Sequence, residues 1–257
     1  MDLNTENKKK NKVLIIIPAY NEEQAIGAVL DKLAEPGISG FADVLVMNDA
    51  SSDDTEGVVR GRGVRIVNHI YNLGYGSGLQ LGYKYAYSHG YEYVIQMDAD
   101  GQHDICNVPE IYKELMTPDE KGNCPDIVLG SRFTNGFKDY PTSFVKKIAY
   151  KLFGALIRMG TGKKITDPTT GLQGLSRKAF SYYMKYGHFD DKYPDANMLM
   201  QMLLLGFNVK EIHAVMHTRE TGTSMHSGII KPVIYMFRMS FSIIAVWIRI
   251  SLYKEKI

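Results

Sequence analysis

The sequence predicts an α/β fold, a mostly parallel sheet covered by helices on both faces. Four short apolar segments, residues 13–17, 44–47, 64–67 and 93–97, alternate with stretches of helical periodicity. That is the β-α-β-α-β-α-β order of a parallel sheet. The first segment, Val13-Leu14-Ile15-Ile16-Ile17, is an unbroken apolar run with no polar face, as a strand buried on both sides requires. The connections are short, and neither an internal repeat nor a low-complexity linker interrupts them.

The first strand stops at Pro18. Asn21 with Gln24 three residues on reads as a helix cap, and Ile26, Val29, Leu30 and Leu33 then recur at helical spacing. Gly37 to Gly40 break that helix ahead of the second strand. Ser51-Ser52-Asp53-Asp54 is rich in capping residues and should open the next helix. After the third strand a glycine-rich stretch, Gly74 to Gly82, leads into a helix ending near Gly90. The fourth strand runs straight into Asp98. Beyond it the order loosens: helix over 108–115, strand over 126–130, a longer helix over 143–159, a short strand over 171–175, helix over 194–205 and a last strand over 209–216. Both halves are expected to share one sheet. The expected organisation is a polar tail (1–12), an α/β domain (13–224) and an amphipathic helical segment (225–257).

At 257 residues the chain lies between one large domain and two, and it can bury enough surface to need no staples. Hydrophobic residues at 45% and charged ones at 23% exclude a disordered or collagen-like chain. Lys plus Arg, 30, against Asp plus Glu, 28, leaves a net charge of +2, which argues against nucleic acid as a partner. Cys106 and Cys124 lack metal-ligand spacing and suit a reducing compartment. The tail carries Lys8, Lys9, Lys10 and Lys12, and no apolar stretch of signal-peptide type follows, so a cytoplasmic location is expected.

Ligands of open α/β sheets bind beyond the carboxyl ends of the strands. Three polar clusters stand there: Pro18-Ala19-Tyr20-Asn21-Glu22-Glu23, Asn48-Asp49-Ala50-Ser51-Ser52-Asp53-Asp54, and Asp98-Ala99-Asp100-Gly101-Gln102-His103. Gathered on one edge, their carboxylates would repel unless a divalent cation or hydrogen-bond donors lay among them. A dinucleotide site would need its glycine fingerprint after the first strand, where this chain has Pro18-Ala19-Tyr20, and no Gly-Lys-Ser/Thr phosphate loop occurs. Asp98 and Asp100, two apart, can reach one hard cation and leave room for phosphate oxygens. An isolated triplet of this kind would better suit an Asx turn.

The triplet is not isolated. The ordered set Pro18-Ala19-Tyr20-Asn21-Glu22, Asn48-Asp49-Ala50-Ser51-Ser52-Asp53, Asn72-Leu73-Gly74 with Gly78, and Asp98 to His103 resembles the family 2 glycosyltransferases. Within them it looks closest to the polyprenyl-phosphate branch, similar to dolichyl-phosphate mannose synthase. Gly130-Ser131-Arg132-Phe133, Thr166-Asp167-Pro168-Thr169-Thr170-Gly171 and Arg219-Glu220-Thr221-Gly222-Thr223-Ser224 extend the match in order, so that it spans about residues 13–224. The resemblance implies a GT-A fold and inverting transfer from a nucleotide-sugar. It implies that Pro18, Tyr20, Glu22, Asp49, Gly78, Asp98 and Ala99 bind the nucleotide, and that Asp98, Asp100 and Gln102 hold Mg²⁺ or Mn²⁺. It sets Arg132 and Arg219 against the diphosphate or an acceptor phosphate, a role that suits a guanidinium fork, and it puts Asp167 beside the reacting sugar. Two departures stand out. Gln173 occupies a place where many relatives carry Arg, and Tyr193-Pro194-Asp195 stands where many present an acidic base. Asp195 is that base or a first-turn acid of a helix.

Acceptor chemistry separates two functions. A sugar hydroxyl needs a general base to lose its proton; a lipid phosphate is already an anionic nucleophile. On the lipid reading Asp167 and Asp195 position groups, and on the saccharide reading one of them is the base.

Residues 228–252 are rich in Ile, Val, Phe and Met, yet Lys231, Arg238 and Arg249 leave at most ten residues between charges. A spanning helix needs roughly 20 apolar residues, so none is expected here. Lys231, Tyr235, Arg238, Ser242, Arg249 and Lys256 fall on one helical stripe, with apolar residues and Trp247 filling the rest. Such a helix suits the plane of an anionic membrane surface; packing on the core or on a partner is the alternative. Relatives often carry transmembrane helices, which suggests a separate membrane-anchor subunit as partner. The expected function is metal-dependent transfer of a sugar from a UDP- or GDP-sugar to polyprenyl phosphate, by an enzyme peripheral to the inner face of the cell membrane. The alternatives are saccharide extension in cell-surface polysaccharide synthesis and an inactive nucleotide-sugar-binding module.

Overall fold

The computed structural model describes residues 11–134, 140, 142–218 and 230–253. Its centre is β1, Val13–Ala19, buried at every position. Parallel neighbours β2 (Ala42–Asn48) and β4 (Tyr93–Gln96) flank it, which is why the run tolerates no polar side chain. Beyond β2 lies β3 (Arg65–Asn68), and on the other side β5 (Ile127–Ser131), β6 (Gln173–Ser176) and β7 (Val209–His213) complete the order β3-β2-β1-β4-β6-β5-β7. Only β6 runs against the rest, antiparallel to both β4 and β5. One sheet therefore carries both halves of the chain, as expected, although the reversed sense of β6 has no sequence signal.

Alternation along β1 divides the apolar residues between two layers. Val13, Ile15 and Ile17 face α1 (Ile26–Leu33), α2 (Pro36–Ser39), α3 (Thr55–Arg60) and α5 (Asn107–Leu115). Leu14 and Ile16 face the larger layer, built with α4 (Tyr75–Ser88), α6 (Phe144–Thr161), α7 (Arg177–Tyr183), α8 (Ala196–Leu204) and α9 (Ile230–Tyr253). Several boundaries differ from the sequence reading. The cap expected at Asn21 does not form; α1 starts at Ile26 behind Ala25, without a side-chain cap, because Asn21 bonds the neighbouring loop instead. The glycine break at 37–40 is a single helical turn opened by Pro36 at its first position. The short helix α7 was not expected; Ser176 caps it by accepting from the Ala179 amide at 3.3 Å. The last strand ends at His213, and Met216 makes an isolated bridge to His103.

The C-terminal helix departs most from expectation. Three residues of its polar stripe bond inward while Arg238 stays exposed: Tyr235 donates to Asp195, Asn197 Nδ2 donates to Ser242 Oγ at 3.0 Å, and Arg249 donates to Gln201. Met239 and Ile243 join the core, while Ile234, Phe237, Phe241, Ile248 and Leu252 form an exposed apolar row. Residues Pro232–Leu252 are also long and apolar enough to cross a membrane by length and composition, with mean hydropathy 1.6. That corrects the exclusion drawn from charge spacing, since two arginines in so apolar a segment lower its mean only modestly. Lys256 lies outside the described residues.

Close approach of α5 to the sheet depends on Gly174. A Cβ there would stand 2.3 Å from Ile111 Cγ2 and 3.0 Å from Leu115 Cδ1. Gly174→Ala should lower stability by about 1–3 kcal/mol in urea unfolding; an unchanged midpoint would mean that α5 is free to shift away.

Candidate active site

The loops after β1 and β2 are stitched to each other at the carboxyl edge of the sheet. Asn21 N donates to Ser51 Oγ at 2.9 Å, and Asn21 Oδ1 accepts from Ser52 N at 2.8 Å. Glu22 N donates to Thr55 Oγ1 at 2.9 Å; Glu23 N and Asp54 N bond the Asp53 and Glu23 carboxylates at 3.1 and 2.9 Å. Asn21 and Ala50 both hold positive φ, 55° and 59°. For alanine that is strained backbone, kept by the surrounding bonds. Pro18 closes this floor at the end of β1 and Tyr20 stands 49% exposed above it.

Asp49, buried at the end of β2, accepts from the Leu73 and Gly74 amides, both at 2.8 Å, and lies 2.7 Å from His69 Nδ1. Its carboxylate thereby pins the loop that opens α4. The glycines of that loop answer a close backbone approach. A Cβ on Gly76 would lie 2.0 Å from the Asp190 carbonyl oxygen, and Ser77 N donates to the Asp191 carbonyl at 3.0 Å. Gly78 is less constrained, its nearest neighbour being Met47 Cβ at 3.8 Å.

Asp98 follows β4 directly. Tyr75 donates to its Oδ1 at 3.0 Å, and His103 Nε2 lies 3.1 Å from Oδ2. Burial works to raise the Asp98 carboxyl, but the bonds from His103 and Tyr75 and the Arg132 charge hold it below its ordinary value. Ala99 is buried, and Asp100 Oδ1 accepts from Gln102 N at 3.1 Å. Gln102 Nε2 donates to Tyr140 at 2.7 Å, so the amide oxygen is the end left for a ligand. Carboxylate and amide oxygens are hard donors of the type that Mg²⁺ or Mn²⁺ takes together with phosphate oxygens. Among the described residues, no group of three His, Cys, Asp or Glu that could hold a metal by itself occurs.

Arg132 follows β5 and is locked to Asp167, which is fully buried. Nε and Nη2 donate to the two carboxylate oxygens at 2.6 and 2.7 Å, the Arg132 amide adds a bond at 3.1 Å, and Thr169 Oγ1 accepts at 3.1 Å. Phe133, Tyr150 and Tyr140 surround the guanidinium, with ring centroids 5.1, 5.4 and 5.9 Å away. Glu211 fixes the partner segment by accepting from the Thr166 and Asp167 amides at 2.9 and 3.0 Å. Arg132 and Tyr140 line a cleft with His213, Val215 and Met216.

Asp195 stands at the N-terminus of α8, half-buried. Burial, with the Asp167 and Asp98 charges, pushes its carboxyl up to about 7, against the Tyr235 hydrogen bond and Arg132. The structure thus brings Asp98, Arg132, Asp167 and Asp195 into one electrostatic group. Gln173 donates to the Thr170 carbonyl at 3.0 Å and supports the adjacent turn; Arg219 lies outside the described residues. Tyr75 and Tyr235 are each bonded to a site carboxylate, whereas the sequence places them only in the glycine-rich stretch and on the polar stripe and gives neither a role in the site. Removing Arg132 should leave Asp167 as a buried, unpaired charge. Arg132→Gln is expected to lose about 3–5 kcal/mol in urea unfolding, with most of it recovered in Arg132→Gln/Asp167→Asn; a fully stable single variant would contradict the pairing.

The protein-family description "Glycosyl transferase family 2" matches residues 14–184. The chain is 28% identical to the undecaprenyl-phosphate mannosyltransferase of Micrococcus luteus, over 84% of this chain and 88% of that one. It is 27% identical to the UDP-N-acetylglucosamine–dolichyl-phosphate N-acetylglucosaminyltransferase of Methanococcus voltae, over 65% and 70%. The fold is shared with glucosyl-3-phosphoglycerate synthase from Mycobacterium tuberculosis, solved with Mn²⁺, UDP and phosphoglyceric acid, at a TM-score of 0.65 and 21% identity, covering 92% of this chain and 77% of that one. A match that runs from β1 to the end of α7 takes in both stitched loops, the Asp98 segment and the Arg132–Asp167 pair, and by it this chain belongs to the family 2 glycosyltransferases.

Proposed function

We propose that the chain transfers a sugar, with inversion, from a nucleotide-sugar to polyprenyl phosphate at the cytoplasmic face of a membrane. The observation that carries this is the single electrostatic group in which Asp98, the start of the acidic loop, meets Arg132, already oriented by Asp167. The stitched edge offers Pro18, Tyr20, Glu22, Asp49, Gly78 and Ala99 to the nucleoside. Asp98, Asp100 and Gln102 would hold Mg²⁺ or Mn²⁺, which when bound neutralises a leaving diphosphate. Arg132, facing the cleft with Tyr140 and His213, would hold the acceptor phosphate, with Arg219 beside it by family resemblance. An anionic phosphate needs no base. The two relatives named above act, by name, on undecaprenyl and dolichyl phosphate, which supports the lipid acceptor.

The exposed row of α9 supplies a surface for lipid, and α6 adds exposed Phe144, Ile148, Leu152 and Met159. A separate membrane-anchor subunit is the partner that could share it. A saccharide acceptor is favoured by one observation, the Asp195 carboxyl at about 7, since a group near neutrality suits general-base work. Asp167 suits it poorly, because Arg132 already occupies both its oxygens.

A radiolabelled assay with Mn²⁺, a panel of UDP- and GDP-sugars and undecaprenyl phosphate tests the proposal. Label should enter the organic phase and be lost with EDTA or in Asp100→Ala; donor hydrolysis without lipid product would favour the saccharide acceptor. Vesicles containing anionic lipid should bind the full chain and bind Phe237→Ser/Phe241→Ser about tenfold more weakly. Equal binding would rule out this face. Substitution serves better than truncation here, because Met239 and Ile243 belong to the core.

A further inference from the structure

The stripe of α9 meets α8 and its N-terminus at three bonds, and one of them ends on a carboxylate of the active site. Asp195 has its backbone fixed locally: its amide donates to Asn197 Oδ1 at 2.9 Å, and its carbonyl accepts from the Met198 amide at 2.9 Å. Its carboxylate is directed from elsewhere, by the Tyr235 hydroxyl. The Tyr235 ring is itself held edge-on by Phe153 of α6 at 6.1 Å and by Tyr193 at 6.2 Å, and Arg238 covers Tyr193 at 4.7 Å. We infer that Tyr235 is a positioning residue for Asp195, so that the C-terminal helix sets the acceptor side of the active site. This rests on the saccharide reading above, in which the Asp195 carboxylate is the general base.

The surroundings show why one donor matters. Asp195 is faced by Asp98 after β4, by Asp167 and Arg132 beside β5, by Tyr75 of α4, by Tyr150 of α6 and by Tyr235 of α9, with Asp190 on its own segment. Asp167 and Asp98 are like charges that disfavour its ionised form, and Arg132 is shared with Asp167. The Tyr235 phenol keeps its own proton, because burial and the nearby carboxylate raise it well above its ordinary value. It therefore donates to the ionised carboxylate, and that donation favours the charged form and fixes the carboxylate's orientation. Ser242 and Arg249 bond α8 farther along, so the helix remains attached when the phenol bond is removed.

The test uses full-length Tyr235→Phe, which keeps the ring and deletes the donor, beside Asp195→Asn and Arg249→Ala. Transfer rates are measured against pH, and the Asp195 carboxyl is titrated by ¹³C NMR, with Asp195→Asn assigning its resonance. In Tyr235→Phe, kcat at neutral pH should fall about tenfold with donor KM within about twofold, and the acidic limb and the carboxyl titration should both rise by about one pH unit. The sign follows from losing a donor to the charged form, so the rate should recover as pH rises. Arg249→Ala should change neither. An unmoved titration, or an equal loss at every pH, would overturn the inference. A wild-type chain that transfers to no acceptor would defeat the functional reading alone, and the titration would still decide whether Tyr235 governs Asp195.

Discussion

Three carboxylates, Asp98, Asp167 and Asp195, crowd the carboxyl edge of the sheet around the guanidinium of Arg132. Like charges so close are stable only if each is treated differently. Asp167 takes the guanidinium in a two-pronged pair and gives up all contact with solvent. Asp98 takes the Tyr75 hydroxyl and His103, which hold its carboxyl below the ordinary value despite burial. Asp195 receives what remains, one phenol, and is pushed toward neutrality. Three chemically identical side chains thereby acquire three different electrostatic states.

The same edge is held together by backbone as much as by charge. The loops after β1 and β2 exchange amide and side-chain bonds, and Asp49 ties the second of them to the start of α4. From there Gly76 lets the 190–191 segment press against α4, and that segment leads directly to Asp195. The stitched loops and the Asp195 segment are thus joined through packed backbone, which transmits displacement because it has few voids to absorb it. The α9 helix adds the last contact, with its polar residues inward on α8 and its apolar row outward.

How much of this the residues announced depends on the range of the interaction. The buried run at 13–17, the polar clusters at the strand ends and the order of the motifs are local, and from them follow the parallel sheet, its ligand-binding edge and the family. The spacing of Asp98, Asp100 and Gln102 is equally local, since all three lie within one loop. Pairings between residues far apart in the chain were not. Arg132 and Asp167 were both singled out, but nothing in their positions says that one neutralises the other. The sequence leaves Asp195 between a base and a helix-terminal acid because its environment comes from residues as distant as Asp98 and Tyr235.

The C-terminal helix marks that boundary most clearly. Periodicity alone determined that Tyr235, Ser242 and Arg249 share a face with a broad apolar remainder around them. It could not determine which face turns inward, because an amphipathic helix is indifferent to direction until something polar or apolar is set against it. The tertiary structure decided by offering Asp195, Asn197 and Gln201 at the matching positions of α8 and its N-terminus. Burying those groups unpaired would be costly, so the polar stripe went to the protein and the apolar row was left for the surroundings.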